Sequence, residues 1–576
     1  MRRILYIDYL DELSRIIGIF SKPFFSEVVF HNAEEKFRSK YARQKLEKSG
    51  IRWLSYHGIP VSVWCRSFQK LNIKLGKAVV KNRFLCSPIY KKSVEYFRFD
   101  KNGLNKLNAS LAGRVSGNWI KEGTSSFSLI EYIYSESNIR IYYMPRFIEN
   151  YLLAIEKGGR IKPVILHVLS HYLWIILKKL MLYIPQYTIE VINKLFKASS
   201  RNKKKIELEG SKLPNMDYTI AFVPHKGIKY GDFYGKTYFY DENPDSILYK
   251  SKVLTLSFED PDPISKRFYE FFRIPYDNIR SGKGSEDVKI KIKHFKRTIR
   301  IKSKLLKSFS TTNILVTLFL AQYFKNVIVY LKQLKKYRSL KIIYFHYDIL
   351  VSSAFLTACH LRGIRTISTQ IRSMNHVWSM GLIYDNYFIA GNGFEKRMKK
   401  RLYNVARYDT IGLPRSSYIR PFKNEGLCKQ YNTIKKNYKL FVCFDLPPLS
   451  YFQEGLESDT YSKRSIYEFY TTLISLAKVF PNFYFVVKPK NMDIFDSSFY
   501  SEIRNDLNNL KNFEILNDLK KYNPYNLAYY ADIIIGKYSS ILEEAFSTGK
   551  KIIIYDSEKY IQSTDYVFNE IDIIED

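Results

Sequence analysis

Two hydrophobic periods alternate along the second half of the chain. The run "KIIYFHYD" (341–348) has strand length, and "ILVSSAFLTACHLRG" after it spaces its apolar residues as a helix does and stops at Gly363. "IRTISTQ" (364–370) reads as a strand again, followed by "YDNYFIAG" and "RYDTIGLP" with a basic helical segment between them. After Pro421 the polar stretch "FKNEGLCKQYNTIKKNY" reads as an interdomain linker. A fresh series then begins: "KLFVCFD", "NFYFVVKP", "NFEIL", "DIIIG" and "KIIIYD" as strands, separated by helical "KRSIYEFYTTLISLAKVF", "FYSEIRNDLNNL", "PYNLAYYA" and "SSILEEAFSTG". Strict strand–helix alternation with short links predicts parallel sheets covered on both faces.

The first half is less periodic. "RRILYID" and "SKVLTLSFED" (251–260) read as strands, and the charged loop "SRNKKKIELEGSKLPN" (200–215) separates a helical insertion, about 100–210, from a returning α/β layer. The expected organisation is an α/β N-terminal domain over 1–425 and a second α/β domain over 426–576, with a cleft between them. In such sheets ligands bind outside the carboxyl ends of the strands.

Composition narrows this picture. Hydrophobic content of 46% and aromatic content of 16% indicate a folded chain. The 5 cysteines are scattered, which fits a reducing compartment and neither a disulfide framework nor a zinc site. The opening "MRRILYIDYLDEL" becomes charged again at Asp8, too early for a secretory apolar region, so the expectation is a cytoplasmic protein. From Lys436 onward 15 Lys and Arg stand against 21 Asp and Glu, so of the net +37 the first 435 residues carry +43. A field of that size attracts nucleic acid, acidic phospholipid or a phosphorylated substrate. "PVILHVLSHYLWIILKKLMLYIP" (163–185), with lysines inside it, reads as an interfacial helix or a buried core helix and is the one membrane candidate seen in the sequence.

The chemistry concentrates in "YYADIIIGKYSSILEEAFSTGKKIIIYD" (529–556). Lys537, Ser539 and Ser540 stand between the end of a strand and the start of a helix, where amide N–H groups and hydroxyls make an anion cradle and Ser539 can cap the helix. Glu544 follows Ser540 by one helical turn and shares its face. Lys488 closes another strand beside Pro489. In the first half, "IAFVPHKGIKYGDFYGKTYFY" (220–240) ends an apolar run on His225 beside glycines, where a histidine is open to substrate and titrates near neutrality. His346 and Asp348, ending "KIIYFHYD", compete with it. Three patterns carry less: Asp260 and Asp262 in a proline-rich turn, the histidines of "HVLSH" (167–171) on an apolar helix, and the charge run "RNKKKIELEG".

The segment 529–556 resembles the donor-binding motif of bacterial GT-B transferases of surface polysaccharide biosynthesis, of the capsule, O-antigen and lipopolysaccharide type. It is also similar to CDP-glycerol glycerophosphotransferases. The matching residues are Asp532, Ser539, Ser540, Glu544, Ala545 and Gly549; Lys551 stands where the family usually has proline. "FYFVVKPKN" matches at Lys488 and Pro489, with Lys490 in place of a histidine. "IRTISTQ", "YDNYFIAG" and "TIGLPR" resemble the end of the family's first domain, with Ile371 and Arg372 in place of His-Gly. The resemblance covers about the last 240 residues. It implies a GT-B fold of two Rossmann-like parallel-sheet domains facing across a cleft, and transfer of a sugar without metal or other cofactor. It implies a nucleotide-sugar donor held by Lys488, Lys537, Ser539, Ser540 and Arg372, with Glu544 on the ribose hydroxyls. A base on the first domain, His225 or Asp348, would face a glycan or lipid-linked acceptor at the inner face of an anionic membrane. The alternatives are a CDP-polyol phosphotransferase, a nucleotide-sugar 2-epimerase, a non-catalytic scaffold of the same fold, or a basic nucleic-acid- or membrane-binding protein. No helix-turn-helix, zinc-finger or RNP pattern supports nucleic acid.

Overall fold

A computed structural model of the chain describes residues 2–33, 40–53, 71–116, 138–164, 218–224, 243–258, 267–279, 311–346, 351–370, 383–391, 395, 404–445, 463–490 and 503–555, apart from positions 11, 72, 146–147, 250–251, 268, 271–273, 504–505, 508, 519–520 and 538. Among the described residues the main strands form three parallel sheets. The first holds β1 (Arg2–Leu10), β2 (Glu27–Ala33), β3 (Ile51–Trp53), β4 (Ile139–Met144) and β5 (Ile161–Pro163), in the order β3-β2-β1-β4-β5. The second holds β6 (Ile220–Val223), β7 (Val253–Ser257), β8 (Tyr276–Asn278), β9 (Ile342–Phe345), β10 (Arg365–Thr369), β11 (Asn386–Ile389) and β12 (Arg407–Thr410), in the order β12-β11-β10-β9-β6-β7-β8. The third holds β13 (Lys439–Phe444), β14 (Phe483–Lys488), β15 (Phe513–Ile515), β16 (Ile533–Gly536) and β17 (Lys551–Ile554), in the order β15-β14-β13-β16-β17.

All three wind the same way. Each starts at a central strand, proceeds to one edge, then returns to the other side of the first strand. The order therefore reverses between β1 and β4, β6 and β9, and β13 and β16, and such switch points open a crevice at the carboxyl ends of the strands. The α/β class with parallel sheets is as the sequence predicts, but the described residues form three sheets, not two. β4 and β5 fall inside the stretch expected as a helical insertion and are strands of the first sheet.

Helices α1 (Glu12–Ser21), α2 (Lys40–Lys48), α3 (Pro88–Phe97), α4 (Lys101–Ser116), α5 (Ile148–Lys157), α6 (Thr311–Leu334) and α7 (Ser353–Leu361) cover the first two sheets. One apolar core runs through both, from Ile4, Tyr6 and Ile141 of the first sheet to Ile343, Phe345 and Ile389 of the second, by way of Leu107, Leu320, Tyr323 and Val327. The buried Tyr323 hydroxyl sits 2.8 Å from the hydroxyls of both Ser110 and Thr357, joining α4, α6 and α7. Buried Lys106 on α4 forms an ion pair with Asp385 before β11. α6 carries an apolar window, Leu315–Leu334, of mean hydropathy 1.2 that meets the length and composition of a membrane span; 56% of it is buried inside this core. The sequence reading did not single it out. The stretch it did single out, 163–185, lies beyond Val164 outside the described residues.

The third sheet has its own cores, all from Tyr418 onward. The expected linker after Pro421 is instead helix α8 (Glu425–Asn437), capped by the Asn424 side chain accepting from the Leu427 amide at 3.1 Å. Leu427 and Tyr431, four residues apart, bury against Phe422 and Tyr530. The stretch expected as a linker thus packs within the third sheet's body, and the short link between β12 and Tyr418 passes through Gly412 at φ +79°. Helices α9 (Lys463–Val479), α10 (Pro524–Tyr530) and α11 (Ser540–Phe546) complete this body.

Candidate functional site at the carboxyl edge of the third sheet

β13, β14 and β16 end side by side: Phe444 is in register with Lys488 on one side and with Gly536 on the other. Their exits place Asp445, Pro489, Lys490, Lys537 and Ser539 along one edge of the switch point. Gly536 is dictated by packing, since a Cβ there would stand 3.0 Å from the Phe444 carbonyl oxygen and 3.2 Å from Leu542. The close approach seats α11 directly against the end of β16, beside the end of β13. Gly549, at φ +79° in the turn before β17, holds a left-handed backbone that suits glycine, so the motif glycine is a turn residue. Asp532 sits at the opposite, amino end of β16. It accepts from the Leu440 amide at 2.8 Å and pairs with Lys435 at 2.7 Å, which hold its carboxyl below the usual range. Its role is to fasten the sheet.

Asp445 is the residue that sequence reasoning missed. One carboxylate oxygen accepts from the Lys490 amide at 2.6 Å and the other from the buried Tyr470 hydroxyl at 3.0 Å. Loss of hydration nevertheless dominates and pushes its pKa up to about 7, against those bonds and the charges of Lys488 and Lys490. Lys488 is buried, its Nζ 3.4 Å from the Pro489 carbonyl oxygen. Burial lowers its pKa, with Asp445 and Asp518 opposing. Lys490, two residues on, is exposed. A buried lysine and a carboxyl that is readily neutral at physiological pH thus lie beside an exposed lysine. That combination favours an anion with several oxygens.

The remaining residues expected here are placed unevenly. Ser539 occupies the N-cap of α11 but makes no side-chain capping bond, contrary to the capping role expected; Ser539 and Ser540 are half-buried. Lys537 is buried, with its ammonium 5.5 Å from the centroid of the Tyr555 ring. It is therefore not presented to solvent beside the serines. Glu544 is 1% exposed, and its carboxylate lies 3.7 Å from the Arg415 guanidinium, which comes from the turn Pro414–Tyr418. Arg415 was visible in the sequence as the end of "TIGLPR" but received no role there. Its partner across the chain emerges only from the fold.

At the second sheet, His346 follows β9 and is buried edge-on to Phe222, ring centroids 6.1 Å apart. Its amide donates to the Val223 carbonyl at 3.0 Å, so the exits of β6 and β9 meet at that switch point. Gln370 is structural: its side chain accepts from the Ala390 amide at 3.0 Å. His225, Asp348 and Arg372 lie outside the described residues, as do Asp260, Asp262 and "HVLSH".

No protein-family model matches the chain, and no curated protein matches it. Solved structures similar in shape include Anabaena Alr3699/HepE in complex with UDP and glucose, at 10% identity and TM-score 0.31 over 58% of this chain and 80% of that one. UDP-GlcNAc 2-epimerase from Neisseria meningitidis bound to UDP-GlcNAc is similar at 15% identity and TM-score 0.35, over 59% and 82%. MurG from Acinetobacter baumannii is similar at 9% identity and TM-score 0.33, over 61% and 81%. At these values the account of the fold rests on this chain's own sheet order and register.

Proposed function

We propose that the protein is a glycosyltransferase of GT-B type that moves a sugar from a nucleotide-activated donor to a surface glycan or lipid-linked acceptor. One observation carries the reading: buried Lys488 and the readily neutral Asp445 stand together at the switch point of the third sheet, beside the Gly536–Ser540 turn. The diphosphate of the donor would lie over this edge, against Lys488 and Lys490 and the hydroxyls of Ser539 and Ser540. As the sugar leaves, charge develops on the nucleotide phosphate, and lysines fixed in advance stabilise it. A protonated Asp445 spares that charge a repulsive neighbour. Glu544, buried against Arg415, fits the floor of such a pocket and not an open ribose contact. On the acceptor side, His225 and Asp348, which follow β6 and β9 in the sequence, remain the proposed bases. Closure of the third sheet's body onto that side would exclude water and align acceptor and donor.

The test is a thermal-shift screen against UDP-, GDP-, CDP-, CMP- and dTDP-linked sugars, with CDP-glycerol in the same panel. Stabilisation by one class of nucleotide-sugar, abolished in Lys488→Ala, is the expected result. A melting point that no nucleotide moves would end the donor-site assignment, and a response to CDP-glycerol alone would turn the reading to polyol-phosphate transfer.

A further inference from the structure

Helix α1 packs on the first sheet by one face only. Buried Ser14 and Gly18 lie on that face, and a Cβ at Gly18 would stand 3.2 to 3.5 Å from Ile7, Val28 and Ile51, so the helix sits close on the sheet. At 100° per residue, Ile16 and Phe20 lie opposite Gly18 and Ile19 between. All three are exposed, Phe20 by 75%. The chain then turns through Lys22–Phe24, where Phe24 is 71% exposed while Phe25 turns inward against Tyr142. Four large apolar side chains thus face outward within nine residues. Scattered single apolar residues on a surface need no explanation, but a contiguous stripe does.

The rim of the stripe is net basic, three lysines against the exposed Glu47. Lys22 is exposed and its ammonium lies against the Gly50 turn. Lys45 and Lys48, both exposed, sit in the last turn of α2 just before Gly50. The part of the chain that carries this surface also carries the +43 excess. An apolar face rimmed by lysines is the pattern of a helix that lies in a lipid–water interface, where acyl chains take the apolar side chains and acidic headgroups the ammonium groups.

We infer that the α1 face, Ile16, Ile19, Phe20 and Phe24 with Lys22, Lys45 and Lys48 at its rim, docks the protein on an anionic phospholipid surface. The inference stands on α1 itself and gives the proposed lipid-linked acceptor a location. The experiment is flotation of the full chain with phosphatidylcholine vesicles, with and without phosphatidylglycerol. Binding is expected with phosphatidylglycerol, weakening as salt rises. The double variant Phe20→Ser/Phe24→Ser should lower partitioning by roughly a hundredfold, about tenfold for each ring withdrawn from the acyl region. Val479→Ser, which removes an exposed apolar side chain from the third sheet's body, should leave binding unchanged. Because the substituted side chains are exposed, melting temperature and donor-induced stabilisation should be preserved, so loss of docking is distinguishable from loss of the donor site. Undiminished binding by the double variant, or no binding of the wild type, would overturn the proposal. So would self-association in size-exclusion chromatography that the double variant abolishes, without any vesicle binding by the wild type, which would assign the face to a second copy.

Discussion

At the residue scale, Asp445 ties stability and, under the proposed function, donor affinity to the same proton. An aspartate in an unfolded chain titrates near 3.9, whereas Asp445 in the folded protein titrates at about 7. The folded state therefore holds the proton more tightly: its stability is fully present below about pH 4 and falls as pH rises toward 7. Full ionisation costs up to about 4 kcal/mol, at about 1.4 kcal/mol per pKa unit. Asp385 and Asp532 act in the opposite sense, since their lowered pKa values give stability that is lost only on acidification. Denaturant melts across this range should show Asp445→Asn lacking the wild-type decline between about pH 4 and 7. Donor affinity should weaken above pH 7 in the wild type and stay level in the variant; a parallel decline in both would remove Asp445 from the site. Arg415 offers a second residue-scale test. Arg415→Ala leaves the Glu544 carboxylate buried without its guanidinium, at a cost of about 3 kcal/mol. Glu544→Gln in the same chain should recover part of that loss in equilibrium unfolding.

At the element scale, α6 is the beam on which both N-terminal sheets rest. Leu320 is fully buried on it, so Leu320→Ala should cost about 2–5 kcal/mol, measured by calorimetry as a lowered transition of the N-terminal body. The elements that the sequence hid share a physical reason with those it revealed. "IIIG" and "KIII" are short apolar runs flanked by turns, and their strands, like the Gly549 turn between them, could be read directly. α6 is apolar on nearly every side, so its helical period is faint and it merges with its surroundings. α8 has the reverse problem: lysines and asparagines surround a narrow stripe of Leu427 and Tyr431, and the segment passes for a linker. β4 and β5 are short, and only their pairing with β1 and with each other makes them strands. Lys488 and the two serines were legible because each closes or opens a periodic element. Asp445 was not, because its environment depends on Tyr470 and Lys490, which arrive from elsewhere in the chain.

At the scale of the whole molecule, the described residues divide into two bodies. Ile4 through Ile389 contribute to one continuous core, and the cores of the third sheet begin at Tyr418. Unfolding should accordingly show two calorimetric transitions. A nucleotide-sugar that binds the third sheet should raise only the one belonging to that body, while Leu320→Ala moves only the other. A single transition responding to both would mean that the bodies are energetically one. The Gly412 link has a further consequence. With α1 seated on one face of the first sheet and the core on the other face of that sheet running on to β11, a bilayer beneath α1 would fix the tilt of the second sheet, whose carboxyl edge is the proposed acceptor side. Under the proposed function, the freedom left to the molecule would be a swing of the donor-side body about Gly412. The proposed donor would then be collected from solution and delivered to lipids that diffuse in two dimensions, without the protein leaving the surface between turnovers.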